Sequence, residues 1–213
     1  MRIDPAGWPF IAGAAVLAGV LWWAGYAWVA AAAALAAAFF LFFFRDPARR
    51  VEGRADEVLS PADGRVTVAG APEAGAAPPG EWQQISIFLS PMDVHVNRLP
   101  VSGRITHVEY RPGRFLPAYR REAAAENERN EIWIDQGGRT IVCRQVVGIL
   151  ARRVVCRVQP GAQVAAGDRF GIMKFGSRMD VFLPLDATLR VRVGDRVRGG
   201  VTVLATLPAG SAG

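Results

Sequence analysis

From Trp8 to Phe44 the chain carries no charged side chain, and an uncharged apolar run of that length restricts the fold before anything else does. As a single α-helix it would extend about 55 Å, nearly twice the roughly 30 Å hydrocarbon core of a bilayer. A helical hairpin fits better, with the break near Gly25-Tyr26, one limb from Trp8 to Ala24 and the other from Ala27 to Phe44. One long tilted span, a shallow re-entrant hairpin and a buried hairpin of a soluble protein are the alternatives. A signal peptide is a poorer account, because the run is too long and leads into Phe42-Phe43-Phe44-Arg45-Asp46-Pro47 without a small-residue cleavage pattern. Arg2 precedes the run and Arg45, Arg49, Arg50 and Arg54 follow it, so a hairpin would keep both ends in the cytoplasm. Trp22, Trp23, Tyr26 and Trp28 cluster at the turn, where aromatic rings favour the far interface. Residues 1–44 are therefore expected to be a hydrophobic membrane anchor, and residues 45–213 a separate domain on the cytoplasmic face.

That second part is built differently. Of the 25 Lys and Arg residues, 24 fall from Arg45 onward and the net charge is +6, which points to an anionic surface or substrate. Short alternating runs read as strands: 64–68, 84–89, 103–110, 131–134, 140–147, 153–158, 169–172, 179–183 and 188–193. Turn residues punctuate them densely, as in Pro61-Ala62-Asp63-Gly64, Arg111-Pro112-Gly113 and Gln136-Gly137-Gly138. The reading is a mainly β, antiparallel-rich barrel or sandwich. A shared cadence in 158–168 and 193–200 gives it a barrel-sandwich-hybrid character. One helix is expected over 118–128, and 71–80 reads as an exposed loop. Cys143 and Cys156 lack CxxC pairing and the only imidazoles are His95 and His107, so two reduced thiols are expected and no metal site.

Late in the chain, Lys174-Phe175-Gly176-Ser177-Arg178-Met179-Asp180 sits between two strand-like runs. Glycine leaves its carbonyl unshielded and adopts unusual backbone angles cheaply. A serine directly after it can turn its hydroxyl onto that carbonyl if a base is near. An N-to-O acyl shift followed by elimination would leave dehydroalanine, which hydrolyses to a pyruvoyl group on a new N-terminus. By itself a Gly-Ser pair is more often an ordinary turn.

Three other stretches change that weighting. Leu59-Ser60-Pro61-Ala62-Asp63-Gly64-Arg65-Val66 presents an aspartate in a tight turn. Ser90-Pro91-Met92-Asp93-Val94-His95-Val96-Asn97-Arg98-Leu99-Pro100 holds a histidine in an extended segment. Glu126-Asn127-Glu128-Arg129-Asn130 is a polar cluster ahead of a strand. In this order and with these spacings, from about Phe42 onward, the chain resembles the phosphatidylserine decarboxylases in their short, membrane-anchored prokaryotic form.

The resemblance implies a pyruvoyl-dependent lyase that converts phosphatidylserine in the bilayer to phosphatidylethanolamine and CO2 through a Schiff base. It places the protein at the inner membrane. Ser177 matches the serine that becomes the covalent pyruvoyl cofactor, with self-cleavage after Gly176 giving a β chain of 1–176 and an α chain of 177–213 that stay together as a heterodimer. His95 matches the proton-transfer histidine and Asp63 its carboxylate partner, an arrangement that would fix the imidazole tautomer as in hydrolytic triads. Asn127, Glu128 and Arg129 are candidates for organising the site or the headgroup. Longer relatives carry a second histidine where this chain has Arg98, so that histidine's role does not transfer. Phe175 stands where many relatives have leucine. Neither a metal nor a nucleic acid is expected. The competing expectations are an archaetidylserine or other serine-lipid substrate, and a non-catalytic lipoyl- or biotinyl-like binding module using Lys174, the only lysine.

Overall fold

The computed structural model describes residues 2–118, 120, 122–148, 154–174 and 176–208. The chain divides into two compact units, Met1–Ala48 and Arg49–Gly213.

The first unit is helical. Strand β1 (Arg2–Ile3) leads into α1 (Trp8–Trp23), and after Gly25, at φ +85°, α2 (Ala27–Phe43) runs back to β2 (Arg45–Asp46). A left-handed backbone at the reversal is what only glycine adopts cheaply. Phe10 meets Phe40 and Phe44 with ring centroids 5.6 and 5.5 Å apart, and β1 pairs antiparallel with β2, so the two limbs are joined at their open end. Pro5–Trp23 is long and apolar enough to cross a membrane, whereas Ala27–Phe43 is shorter. Trp23 and Trp28, at the turn, are 89% and 90% exposed.

The second unit is antiparallel β. Its strands are β3 (Glu57–Leu59), β4 (Gly64–Gly70), β5 (Gln83–Leu89), β6 (Val96–Arg98) and β7 (Gly103–Arg111); after the short helix α3 (Ala123–Glu126) come β8 (Arg129–Gln136), β9 (Arg139–Val147), β10 (Val154–Cys156), β11 (Gln163–Val164), β12 (Arg169–Met173), β13 (Ser177–Leu183), β14 (Thr188–Leu189), β15 (Arg196–Val197) and β16 (Val203–Thr206). Among the described residues an eight-stranded sheet has the order β11-β7-β8-β9-β13-β5-β4-β15, and smaller sheets are formed by β10-β12-β6 and β14-β16-β3. The large sheet ends on β11 and β15, which do not pair with each other. It is therefore open: the expected mainly β, antiparallel character with an apolar helical N-terminus holds, and the sheets are not closed into a barrel.

Strand β13 lies at the centre, buried along its whole length, which is why Ser-Arg-Met-Asp-Val-Phe-Leu lacks a solvent-facing side. One face of the sheet carries Met179, Val181, Ile85, Ile87, Cys143 and Ile132 into the main apolar core. The other carries a buried charged row in which Ser86, Asp180, Arg144 and Glu131 stand opposite one another on adjacent strands. Burial raises the thiol pKa of both Cys143 and Cys156, which are free.

Several sequence-based expectations need correction. The helix expected over 118–128 is four residues long; Asn127 is pulled into extended backbone by bonds described below, and residues 119 and 121 lie outside the described set. The loop 71–80 is not simply exposed: Ala76 is buried, its carbonyl accepts from Nη1 of Arg144, and Glu73 pairs with Arg178 at 2.6 Å. Strand β14 stops at Leu189 instead of running to Val193. Strand β13 begins two residues earlier than expected, on Ser177 itself.

Candidate active site

Strand β12, ending at Met173, belongs to the three-stranded sheet and β13, starting at Ser177, to the eight-stranded one, so the Gly176-Ser177 bond lies at the entry to β13. Gly176 has φ +73°, a left-handed conformation unfavourable to other residues. Its carbonyl oxygen packs against Gly148 so closely that a Cβ there would come within 2.3 Å of it. Ser177 opposes Leu89 on one side and Val147 on the other. It is fully buried and its Oγ has no hydrogen-bond partner among the described residues. Phe175 lies outside the described residues.

His95 immediately precedes β6 and is fully buried. A turn places it: Asp93 caps the amide of Ser90 with Oδ2 at 2.9 Å, and the carbonyl of Asp93 lies 3.0 Å from Nδ1 of His95. A carbonyl only accepts, so Nδ1 carries the proton and Nε2 keeps its lone pair. Nε2 in turn accepts from the amide of Gly176 at 3.4 Å. The structure thus brings the basic nitrogen of His95 to the residue whose carbonyl Ser177 would attack.

Asp63 is placed differently from the expected triad. Its Oδ2 accepts from Nη2 of Arg49 at 2.8 Å and its Oδ1 from the amide of Gly199 at 2.8 Å. Those bonds tie the turn before β4 to the loop before β16, and neither is to the imidazole. Asp93, through its main chain, sets the tautomer that a triad carboxylate would have set.

The polar cluster at 127–129 is divided among three tasks. Asn127 donates to the carbonyls of Leu116 and Val147, both at 2.8 Å, and accepts from the amide of Leu116 at 2.9 Å, which makes it a strut. Arg129 donates to the carbonyls of Ala125 and Asn127 and stands opposite Val146 and Arg111, on the face away from Ser177. Burial and the neighbouring Arg144 and Arg111 push its pKa down. Glu128 is buried, and its carbonyl accepts from the amide of Val147 at 3.1 Å. Strand alternation puts Glu128 on the Ser177 side of the sheet.

A second group of polar residues was not picked out by their sequence context. Nδ2 of Asn130 donates to Oε1 of Gln145 at 3.3 Å, and Nε2 of Gln145 donates to Oδ1 of Asn97 at 2.8 Å. Asn97 and Gln145 are fully buried, and the chain of amides ends two residues from His95. The only sequence signal was an asparagine and a glutamine inside runs otherwise suited to a core. Lys174, by contrast, is half-buried in the inter-sheet linker, away from any hairpin tip where a carrier lysine would be displayed. No group of three or more His, Cys, Asp or Glu suited to a metal occurs among the described residues.

The fold and site define a mainly antiparallel β protein in which a buried serine follows a left-handed glycine whose amide donates to a histidine nitrogen. The particular family follows from comparison with known proteins. The family described as phosphatidylserine decarboxylase matches residues 36–205. A relative from Nitrosomonas europaea, named phosphatidylserine decarboxylase proenzyme, is 48% identical over 201 residues, covering 93% of this chain and 92% of the relative. Proteins of the same name from Nitrosomonas eutropha and Burkholderia mallei are 46% and 43% identical, the latter over 205 residues covering 95% and 94%. The chain belongs to the phosphatidylserine decarboxylase family and is a decarboxylase by that membership.

Proposed function

We propose that the chain is a proenzyme that cleaves itself between Gly176 and Ser177, and that its processed form decarboxylates phosphatidylserine to phosphatidylethanolamine. The observation that carries this reading is the hydrogen bond from the Gly176 amide to Nε2 of His95, next in the chain to a buried serine whose hydroxyl has no hydrogen-bond partner among the described residues. His95 accepts the Ser177 hydroxyl proton as Oγ attacks the Gly176 carbonyl, and returns a proton to the departing nitrogen.

The residues present fit a pyruvoyl group at position 177, because the serine from which it would form is held in a dry, polar-lined site. Such a group supplies a ketone that captures the headgroup amine and accepts electrons as CO2 leaves. The roles of the chain's own residues follow. Glu128, buried on the Ser177 side of the sheet, attracts the ammonium of the headgroup. His95 delivers the proton that replaces CO2. Asp63 braces the turn beneath the site through Arg49 and Gly199, and the long and short chains remain associated through the ladders of β13 with β5 and β9. The apolar hairpin anchors the protein in the inner membrane, and the basic residues at its open end put the catalytic domain on the cytoplasmic face, where anionic lipid headgroups are in reach.

Intact-mass measurement of the detergent-purified protein, with Ser177→Ala alongside, tests this. Two fragments splitting at Gly176-Ser177, the short one lacking a free amine, together with CO2 release from phosphatidylserine vesicles, are expected for the parent. A single chain of 22.9 kDa that releases no CO2 overturns the proposal.

A further inference from the structure

Asn97, two residues after His95, holds a buried amide N–H with no partner among the described residues. Its orientation is fixed by neighbours. Nε2 of Gln145 also donates to the backbone carbonyl of Val155, at 3.4 Å, and a carbonyl accepts only. Gln145 must therefore present its NH2 group on that side, so Asn97 must turn Oδ1 toward Gln145 and leave Nδ2 on its other side. Gly171 makes the approach feasible, since a Cβ there would come within 2.9 Å of Nε2 of Gln145. Nδ2 of Asn97 is buried and unpartnered among the described residues.

Leaving such a donor buried costs about 1–3 kcal/mol, which leucine in the same space would avoid. The position of the donor is informative. His95 and Asn97 are two residues apart in extended chain and share a face, and His95 reaches Gly176. Gln145 is the diagonal cross-strand neighbour of Ser177, because Ser177 opposes Val147 and Met179 opposes Gln145; such neighbours lie about 7–8 Å apart. The unpartnered N–H of Asn97 and the unpartnered Oγ of Ser177 thus belong to one layer between the two sheets, His95 on one side of it and Gln145 on the other.

We infer that Asn97 is a further catalytic residue of self-cleavage: its Nδ2–H donates to Oγ of Ser177 as that oxygen gives its proton to Nε2 of His95 and attacks the Gly176 carbonyl. The C–N bond of Gly176-Ser177 then breaks, the nitrogen takes up a proton, and an ester links Oγ to Gly176. The donor stabilises negative charge on Oγ while the hydrogen leaves, in a fully buried site where one hydrogen bond has a large effect. Gln145 and Asn130 act through Asn97 by fixing which way its amide points.

This inference rests on the proposed self-cleavage, and its test separates the two. Purified parent, Asn97→Leu and Asn97→Asp chains are followed by intact mass over time, with and without hydroxylamine, which severs an accumulated ester. Asn97→Leu keeps the volume and leaves Gln145 its bond to Val155; Asn97→Asp keeps an acceptor for Gln145 but removes the donor. Both are expected to cleave about 100-fold more slowly than the parent and to stay intact in hydroxylamine, while circular dichroism shows each of them folded. If either folded variant cleaves within threefold of the parent, or is severed by hydroxylamine at the parental rate, Asn97 does not act on Oγ and the inference fails alone. An uncleaved parent overturns self-cleavage and this inference together.

Discussion

The amide of Gly176 donates to Nε2 of His95 across 3.4 Å, so the histidine holds the segment proposed to break with the same nitrogen that would serve as base. Substituting His95→Gln preserves a side chain able to accept that hydrogen bond while removing the base. The variant is expected to fold and remain a single chain, with processing slowed by about 100-fold or more. Densitometry of the two fragments over time checks the outcome.

Asp63 separates two accounts of the site. If it oriented the imidazole, Asp63→Asn would stop processing as completely as loss of His95. Its bonds go instead to Arg49 and the Gly199 amide, with its side chain 16% exposed. The expected result is a loss of about 1–2 kcal/mol in urea unfolding and processing within tenfold of the parent.

Two glycines beside the bond make a contrast. A Cβ on Gly148 would come within 2.3 Å of the Gly176 carbonyl oxygen, whereas one on Gly176 would meet nothing within 4 Å. Gly148→Ala must therefore displace the carbonyl under attack and is expected to slow processing strongly. Gly176→Ala is opposed only by its φ of +73°, a cost of about 1–2 kcal/mol. Comparing processing half-times with unfolding midpoints for the two variants shows whether geometry at the carbonyl or backbone preference dominates.

Trp22, Trp23 and Trp28 are 70%, 89% and 90% exposed, a large apolar surface at the tip of the hairpin. Vesicles of phosphatidylethanolamine and an anionic lipid are expected to blue-shift the tryptophan emission, and a chain with all three changed to serine to float with those vesicles less efficiently. Equal flotation of both chains would remove these residues from the anchor.

How far the sequence revealed this arrangement depends on the kind of signal each part left. The reversal at Gly25 was legible because an unbroken apolar run must turn within a bilayer's thickness. Strands 83–89, 103–111 and 139–147 were legible from alternation and bounding turns. Ser177 and His95 were legible only through several motifs taken together, since a Gly-Ser pair and a lone histidine have commoner uses. The pairing of Asp63 with Arg49 was not legible, because two surface-type residues fourteen apart give no periodic signal. Nor was the loop 71–80, whose small residues read as solvent-exposed although they lie over buried arginines supplied by distant strands. Asn97 and Gln145 were hidden for the opposite reason: each fits a strand, and only the packing of two sheets shows them meeting.

Arg178 supplies the last prediction, because it follows the cleavage site and is 2% exposed. Its Nε donates to Oδ1 of Asp180 at 2.6 Å, and its Nη2 to Oε2 of Glu73 at 2.6 Å and Oγ of Ser86 at 2.8 Å. Burial opposes its charge, but Asp180 and Glu73 outweigh that and hold its pKa above the ordinary value. Arg178→Met would leave Asp180, fully buried, without its cation, at a cost of about 3–5 kcal/mol. Processing adds a consequence. Once the chain is cut, Arg178 is the second residue of the short fragment while Glu73 and Ser86 belong to the long one, so the same pairings become contacts between chains. Arg178→Lys keeps the charge but not the fork of donors. It is therefore expected to fold and process, yet to release its short fragment at lower urea concentration than the parent in size-exclusion chromatography. Release at the parental concentration would mean that the ladders with β5 and β9 alone hold the fragments together.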